Sequence, residues 1–250
     1  LTHGFKAGDL IILSGDSGIG KTTCLNNWIV DMLYAKNPAF GFYLEGQMEY
    51  MLARMASARL SIPYNLLNED PEKFKRIKAE VSELPLYYFS GSHGELEPEY
   101  LRQFIPTIVE LYGVKIIVID NLQKLVRGSD TMYYQRVSET VSMLKDLAVD
   151  LAIPIVLISH IKKVDASIKV ITKYDAKASS TIYQDADLYL ILQKIKEEMF
   201  LTVEKNRMGE DGIHIPLNVD YVLGRFTEKD ETEVSPPRPK EQEATKEIGF

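Results

Sequence analysis

Residues 15–23 read GDSGIGKTT. Gly15, Gly20, Lys21 and Thr22 fit the spacing G-x-x-x-x-G-K-[ST]. Asp16, Ser17, Gly18 and Ile19 fill the intervening positions, and Thr23 follows. Glycines let main-chain N–H groups curl around a phosphate without obstruction by side chains. A helix starting directly afterwards turns its positive end toward the same phosphate. In such a loop Lys21 would reach the β- and γ-phosphates, and the Thr22 hydroxyl would bind Mg²⁺. The segment predicts a site for a nucleoside triphosphate with Mg²⁺.

Other charged residues close apolar runs. Asp120 ends Ile116-Ile117-Val118-Ile119. A carboxylate at the C-terminal end of a parallel strand points into the ligand crevice of an open α/β sheet and would serve the Mg²⁺ beside Thr22. A helix N-cap would use the same residue type. Glu45 ends the run 40–44, where it would orient or deprotonate an attacking water, or simply be a solvated strand end. His160 closes the run 154–158 through Ser159 and would reach a γ-phosphate, although a lone histidine also suits a structural role. Lys205 and Arg207 stand two apart after an apolar run, so on extended chain they share one side. They would approach a phosphate, including one held by a neighbouring subunit, or simply form a solvated basic strand end. Residues 161–178 hold Lys162, Lys163, Lys169, Lys173 and Lys177 against Asp165 and Asp175. Such a loop neutralises phosphates without reading base sequence, and a solvated surface loop has the same composition. Lys124 and Arg127 mark a second, shorter candidate loop.

The elements that must carry these groups follow from periodicity. Strands are expected at 9–13, 40–44, 86–89, 115–119, 154–158, 188–192, 199–203 and 213–219. Helices are expected at 22–34, 47–60, 71–83 and 97–112, the last with a possible kink at Pro106 and a stripe of Leu101, Phe104, Ile105, Ile108 and Leu111. Val137, Val141, Leu144, Ala148 and Leu151 are the stripe of another helix. Residues 161–178 read as irregular. The nearly continuous apolar strands imply burial on both faces of a parallel sheet. Alternation of strand and helix, then clustered strands, gives an α/β fold: a mostly parallel central sheet, helices on both faces, and an antiparallel C-terminal extension.

The chain has 250 residues, 45% of them hydrophobic, which suits one large α/β domain with a full core. A net charge of -7 does not advertise nucleic-acid binding, so any basic surface must be local. Cys24 is the one cysteine, which excludes an intrachain disulfide and fits a reducing compartment. No run of 18 apolar residues occurs. The sequence begins at Leu1 rather than Met. The domain is expected over 1–227, with a disordered acidic tail over 228–250 that holds seven acids and four bases.

In order along the chain stand the glycine-rich loop, Glu45, IVIDNLQKL, ISHIKK, YQDADLYLIL and EKNRMGEDG. Over residues 4–226 this series resembles the RecA-fold motor domain of the DnaB-like replicative helicases, within them the phage helicase-primase and mitochondrial Twinkle branch. The stretch from His160 to Arg207 selects this family, because the first motif is common to many NTPases. The resemblance implies that Lys21 and Thr22 serve ATP, or another NTP or dNTP, and Mg²⁺. Glu45 would be the catalytic glutamate and Asp120 the Walker B aspartate. His160 falls where most bacterial members carry a Gln that senses the γ-phosphate. Arg207 would be a finger acting in trans, with Lys205 beside it. Gln184 lies in the fourth family motif, near a DNA-facing loop of residues 162–180. The family forms hexameric rings and moves 5′ to 3′ on single-stranded DNA. Gly46 after Glu45 departs from its pattern, and no primase-like segment or long linker helix stands among these residues.

The expected partners are single-stranded DNA, further copies of the chain as a hexamer, and replication proteins (polymerase or primase) met through the tail, with Phe250 as anchor. The expected location is the cytoplasm of a bacterium or of a phage host, with a mitochondrial one left open. Two other readings share these motifs: a RecA- or KaiC-like ATPase, and a nucleotide-gated recruitment module that does not unwind.

Overall fold

The computed structural model describes residues 4–45, 48–64, 69–90, 96–126, 132–161 and 179–229. The first half runs β1 (Leu10–Gly15), α1 (Lys21–Tyr34), β2 (Ala39–Tyr43), α2 (Met48–Leu60), α3 (Pro71–Ser82), β3 (Leu86–Ser90) and α4 (Pro98–Tyr112). Then come β4 (Ile116–Asp120), α5 (Leu122–Leu125), α6 (Tyr133–Leu151), β5 (Ile155–His160) and α7 (Ser179–Asp185). The chain closes with β6 (Leu188–Ile195), β7 (Glu198–Asn206), β8 (Ile213–Asp220) and β9 (Arg225–Glu228).

Successive residues of a strand point to opposite faces. In β1, Leu10 and Ile12 enter one core while Ile11 and Leu13 enter the other. β4 divides likewise, Ile117 and Ile119 against Ile116 and Val118. Both faces are apolar, so both need cover. Leu101, Ile105 and Ile108 of α4 and Val137, Val141 and Leu144 of α6 close the first core. Leu25, Ile29 and Leu33 of α1 and Met51 and Met55 of α2 close the second.

Among the described residues the strands form one nine-stranded sheet in the order β3-β2-β4-β5-β1-β6-β7-β8-β9. β3 through β6 in that order are parallel. β7, β8 and β9 continue it antiparallel. The expected fold class therefore holds, with strand and helix boundaries moved by up to two residues, except that β6 and β7 each run three residues past their expected ends.

Several details differ from expectation. α4 runs unbroken through Pro106; Leu101, Ile105 and Ile108 anchor it on the sheet and outweigh the lost N–H bond. Phe104 is 43% exposed and Leu111 69%, so they leave the expected buried stripe. Phe104 packs edge-on against Phe40 and Phe42, with centroids 6.4 Å apart in each case, while Leu111 sits on the helix's last turn. α7 has seven residues, too few for a readable period. β9 holds a single large apolar residue, Phe226, and carries the fold to Glu228, one residue past the expected boundary. It is held to α1: Asn27 Oδ1 accepts from the Phe226 N–H at 2.7 Å, and Asn27 Nδ2 donates to the Gly224 carbonyl at 3.0 Å. The expected tail beyond 229 lies outside the described residues.

Phe42 has no exposed surface and meets Phe40 at 4.9 Å and Phe89 at 6.3 Å between centroids. Phe42→Ala is expected to lower unfolding stability by about 3–5 kcal/mol, read from the denaturant midpoint at unchanged slope.

Candidate active site

Sheet register places four strand ends side by side. Tyr43 of β2 is level with Asp120 of β4, and Gly15 of β1 with His160 of β5. Glu45, Asp120, His160 and the loop after Gly15 therefore share the C-terminal edge of the sheet. This is where open α/β sheets bind ligands.

The loop depends on its glycines at two points. A Cβ on Gly15 would collide with the Leu192 carbonyl oxygen of the adjoining β6. Gly20 has φ 103, a left-handed conformation, and a Cβ there would lie 2.9 Å from the Phe226 ring. Gly20 is also the N-cap of α1, and no side chain caps that end. The N–H groups of the first turn and the positive end of the dipole thus serve the loop itself. Lys21 opens the helix and is 5% exposed. Its ammonium donates to the carbonyls of Gly15 at 2.9 Å and Asp16 at 2.7 Å. Burial lowers its pKa to about 8, against the opposing pull of Asp120, Asp16 and Glu45.

The Thr22 hydroxyl donates to Asp120 Oδ2 at 2.6 Å, bridging loop and sheet. Burial raises the Asp120 pKa to about 6; the Thr22 bond and Lys21 oppose the shift, and Glu45 adds to it. Among the described residues no group of three His, Cys, Asp or Glu could hold a metal unaided. The donors that fit Mg²⁺ are Thr22 and Asp120, one hydroxyl and one carboxylate, beside a lysine that suits phosphate. That set matches a cation carried in with a triphosphate.

His160 is fixed from the segment after Asp120. The Asn121 side-chain amide donates to its Nε2 at 3.0 Å, while Asn121 Oδ1 caps α5 by accepting from the Lys124 N–H at 3.1 Å. An accepting Nε2 puts the proton on Nδ1, so the ring is neutral. Burial, followed by the charge of Lys21, also pushes its pKa down. Gln123 holds the strand end: its Oε1 accepts from the His160 N–H at 3.0 Å, and its Nε2 donates to Ser159 Oγ at 3.2 Å. Glu45 Oε2 lies 3.9 Å from His160 Nε2, and its Oε1 is 3.4 Å from Lys124 Nζ. Lys124 thus stands in α5 beside Glu45 rather than in a basic loop. Asn121 and Gln123 were not among the expected site residues, and Lys124 was expected only as part of a basic loop. Their only signal in the sequence is their place directly after Asp120.

Lys205 and Arg207 lie elsewhere. Asp187 precedes β6 and accepts from the Leu10 N–H at 2.8 Å, at the start of β1. Arg207 Nη1 donates to Asp187 Oδ1 at 3.1 Å, and Nη2 to the Gln184 carbonyl at 3.1 Å. Lys205 Nζ donates to the carbonyls of Gln184 at 2.9 Å and Tyr183 at 2.6 Å. The two cations do share one side, as expected. They stand at the N-terminal edge of the sheet, roughly 17 Å from the Gly15 end by strand rise alone. They are not brought together with Lys21 in one chain. Gln184 is exposed at the end of α7. Lys162, Lys163, Lys169, Lys173, Lys177, Arg127 and Gly46 lie outside the described residues. Among the described residues no helix is long and apolar enough to cross a membrane.

Comparison with known proteins bears on the fold and the family. The family described as the DnaB-like helicase C terminal domain matches residues 1–228. A "Probable replicative DNA helicase" of Trieres chinensis is 31% identical over 207 residues, 78% of this chain and 45% of that protein. The chain spans about half the length of the curated relatives it matches. Among solved structures, one described as an ATPase domain superposes with a TM-score of 0.79 at 20% identity, covering 92% of this chain and 88% of that one. A DnaB-like replicative helicase, solved with a description of its interactions with primase, gives 0.78 at 20% identity over 90% of this chain and 58% of that one. The fold is that of these solved chains, and the chain belongs to the DnaB-like helicase C-terminal domain family.

Proposed function

We propose that the chain is the ATP-driven motor of a replicative DNA helicase, acting between subunits of a ring on single-stranded DNA. The observation that carries this reading is the separation of Arg207 and Lys205 from Lys21 by the length of β1. One copy supplies a phosphate loop, a cation site and a water-orienting carboxylate. Among the described residues it supplies no arginine to them, and a second copy would.

Residues 15–23 would hold the triphosphate, with Lys21 on its β- and γ-phosphates. Thr22 and Asp120 would hold Mg²⁺, which neutralises developing phosphate charge when bound. Glu45 would orient the attacking water and accept its proton. Neutral His160, 3.9 Å from Glu45, would sense the γ-phosphate. Its ring follows Asn121 and its backbone follows Gln123, so a change there passes to both segments. Arg207 of the neighbouring copy, with Lys205, would stabilise the transition state. The lysines of 162–178, with Gln184, would grip the strand. A hexamer, 5′ to 3′ movement, primase or polymerase contacts through residues 228–250 and a cytoplasmic location belong to the same reading, supported by family membership.

Steady-state ATPase against protein concentration, with and without single-stranded DNA, tests it. Turnover of the wild type is expected to rise with both. Arg207→Ala is expected to lose about 10³-fold or more, the usual worth of such an arginine. Turnover indifferent to DNA, concentration and Arg207 would overturn the reading and leave only a generic P-loop ATPase; loss of DNA stimulation alone would favour a KaiC-like ATPase, and filaments in place of rings a RecA-like one. Tight ATP binding with turnover near zero would leave a recruitment module.

The two shifted groups set a pH window. Mg·ATP binding needs Asp120 ionised and Lys21 charged. Asp120 takes up a proton as pH falls through about 6, and Lys21 loses one as pH rises through about 8. Affinity is expected to be highest between these values and to fall about tenfold per pH unit outside them. Bound phosphates favour charged Lys21, so binding near pH 8 should take up a proton. The bound cation favours ionised Asp120, so binding near pH 6 should release one. Calorimetry in buffers of different ionisation enthalpy reads both signs.

A further inference from the structure

Asp187 divides its two carboxylate oxygens between two tasks. Oδ2 accepts from the Leu10 N–H at 2.8 Å and from Lys145 Nζ at 2.7 Å. Those bonds tie the start of β6 to β1 and α6. Oδ1 accepts from Arg207 Nη1 at 3.1 Å, and the Asp187 carbonyl accepts from the Arg207 N–H at 3.0 Å. The residue is 8% exposed, while the Arg207 side chain is 49% exposed. A buried, bonded carboxylate therefore holds an accessible guanidinium. The group has five N–H donors, and the bonds to Asp187 and Gln184 use two of them. Donors thus remain for another anion while the plane of the group is already set.

We infer that Asp187 is the positioning residue for Arg207, fixing its guanidinium before a neighbouring subunit's phosphates meet it. The inference rests on the trans site proposed above. A free arginine must lose rotamer freedom when it meets the transition state; one already clamped loses less, and its charge needs no reorganisation during the reaction. The neighbouring Lys205 is held by the same carbonyl of Gln184 and lies 5.0 Å from the centroid of the Tyr183 ring. The two cations are therefore set relative to one another, not only to Asp187.

Asp187→Asn separates the two tasks. The Leu10 N–H and Lys145 demand an acceptor, so the new amide turns its oxygen to them and its NH₂ to Arg207, donor against donor. DNA-stimulated turnover is expected to fall at least tenfold. The affinity of the variant's own phosphate loop for a fluorescent ATP analogue is expected to stay within about twofold of wild type. Adding Asp187→Asn to Arg207→Ala is expected to cost nothing further. Asp187→Glu keeps a charge for Lys145 but displaces the oxygen that meets Arg207, and is expected to behave in the same way.

Mixing subunits gives the readout that a merely structural defect would not move. An excess of Lys21→Ala chains, inactive in their own loops, carries intact Arg207 to the working loops of Asp187→Asn chains. Turnover per Asp187→Asn chain is expected to recover at least fivefold. No recovery places the defect in the variant's own site and overturns the inference. So does an additive loss in the double variant, or full activity of both Asp187 variants beside a deficient Arg207→Ala. Wild-type turnover in Arg207→Ala would remove the trans finger itself, and this inference with it.

Discussion

The pairing of β1 with β5 on one side and β6 on the other governs the rest. Its register with β5 makes Gly15 level with His160. Its parallel run with β6 puts Asp187 at Leu10, the opposite end. A six-residue strand, buried throughout, thereby sorts the charged groups into two sets. Neither set can migrate toward the other, because a slip of one residue would turn Leu10 and Ile12 out of one core and Ile11 and Leu13 out of the other. Burial of both faces fixes the register, and the register fixes which charges can meet.

At the C-terminal edge the charges are costly by themselves. Lys21 and Asp120 both have pKa values moved toward neutrality, and burial is the largest cause for each. Their attraction, with that of Asp16 and Glu45 for Lys21, offsets only part of the desolvation. Buried groups of this kind, gathered in one crevice, mark functional sites more often than structural ones. A ligand carrying several negative charges with a divalent cation would relieve both at once. The preference of the site for such a ligand follows from the electrostatics as well as from the glycine pattern.

Much of this was legible in the sequence for a definable reason. Residues 15–23, Glu45, Asp120 and His160 each close an apolar strand, and an apolar run ending in a charge is a one-dimensional signal. The order of elements and the parallel core followed from the same runs. The pair Lys205 and Arg207 was legible as lying on one side, but not its distance from Lys21, which is set by the direction of β7 against β6. Asn121, Gln123 and Asp187 were missed because their roles consist of bonds to residues 20 to 177 positions away, apart from the local cap by Asn121. α7 and β9 were missed because each is short: Ile182 with the adjacent Tyr183, and Phe226 alone, anchor them, which makes no period. The burial expected for Leu111 failed for a different reason: a helix stripe can be wider than the sheet beneath it.

The separation of the two edges also constrains assembly. If the N-terminal edge of one copy meets the C-terminal edge of the next, the two contacting surfaces differ. Such a contact is heterologous and repeats head to tail, so it closes as a ring or continues as a filament, and a two-fold dimer cannot satisfy it. Every copy then both gives an arginine and receives one. In that arrangement Asp187 does more than aim a side chain. Its other oxygen is bonded to the first residue of the strand that ends in the neighbour-facing phosphate loop. The carboxylate that sets the finger given is tied through β1 to the loop that receives one, and α7, whose last carbonyls hold both cations, begins where the lysine-bearing stretch 162–178 ends. The phosphate loop, the strand and the carbonyls that hold both cations thus share one covalent and hydrogen-bonded frame, so a displacement at one edge of the sheet bears on the other.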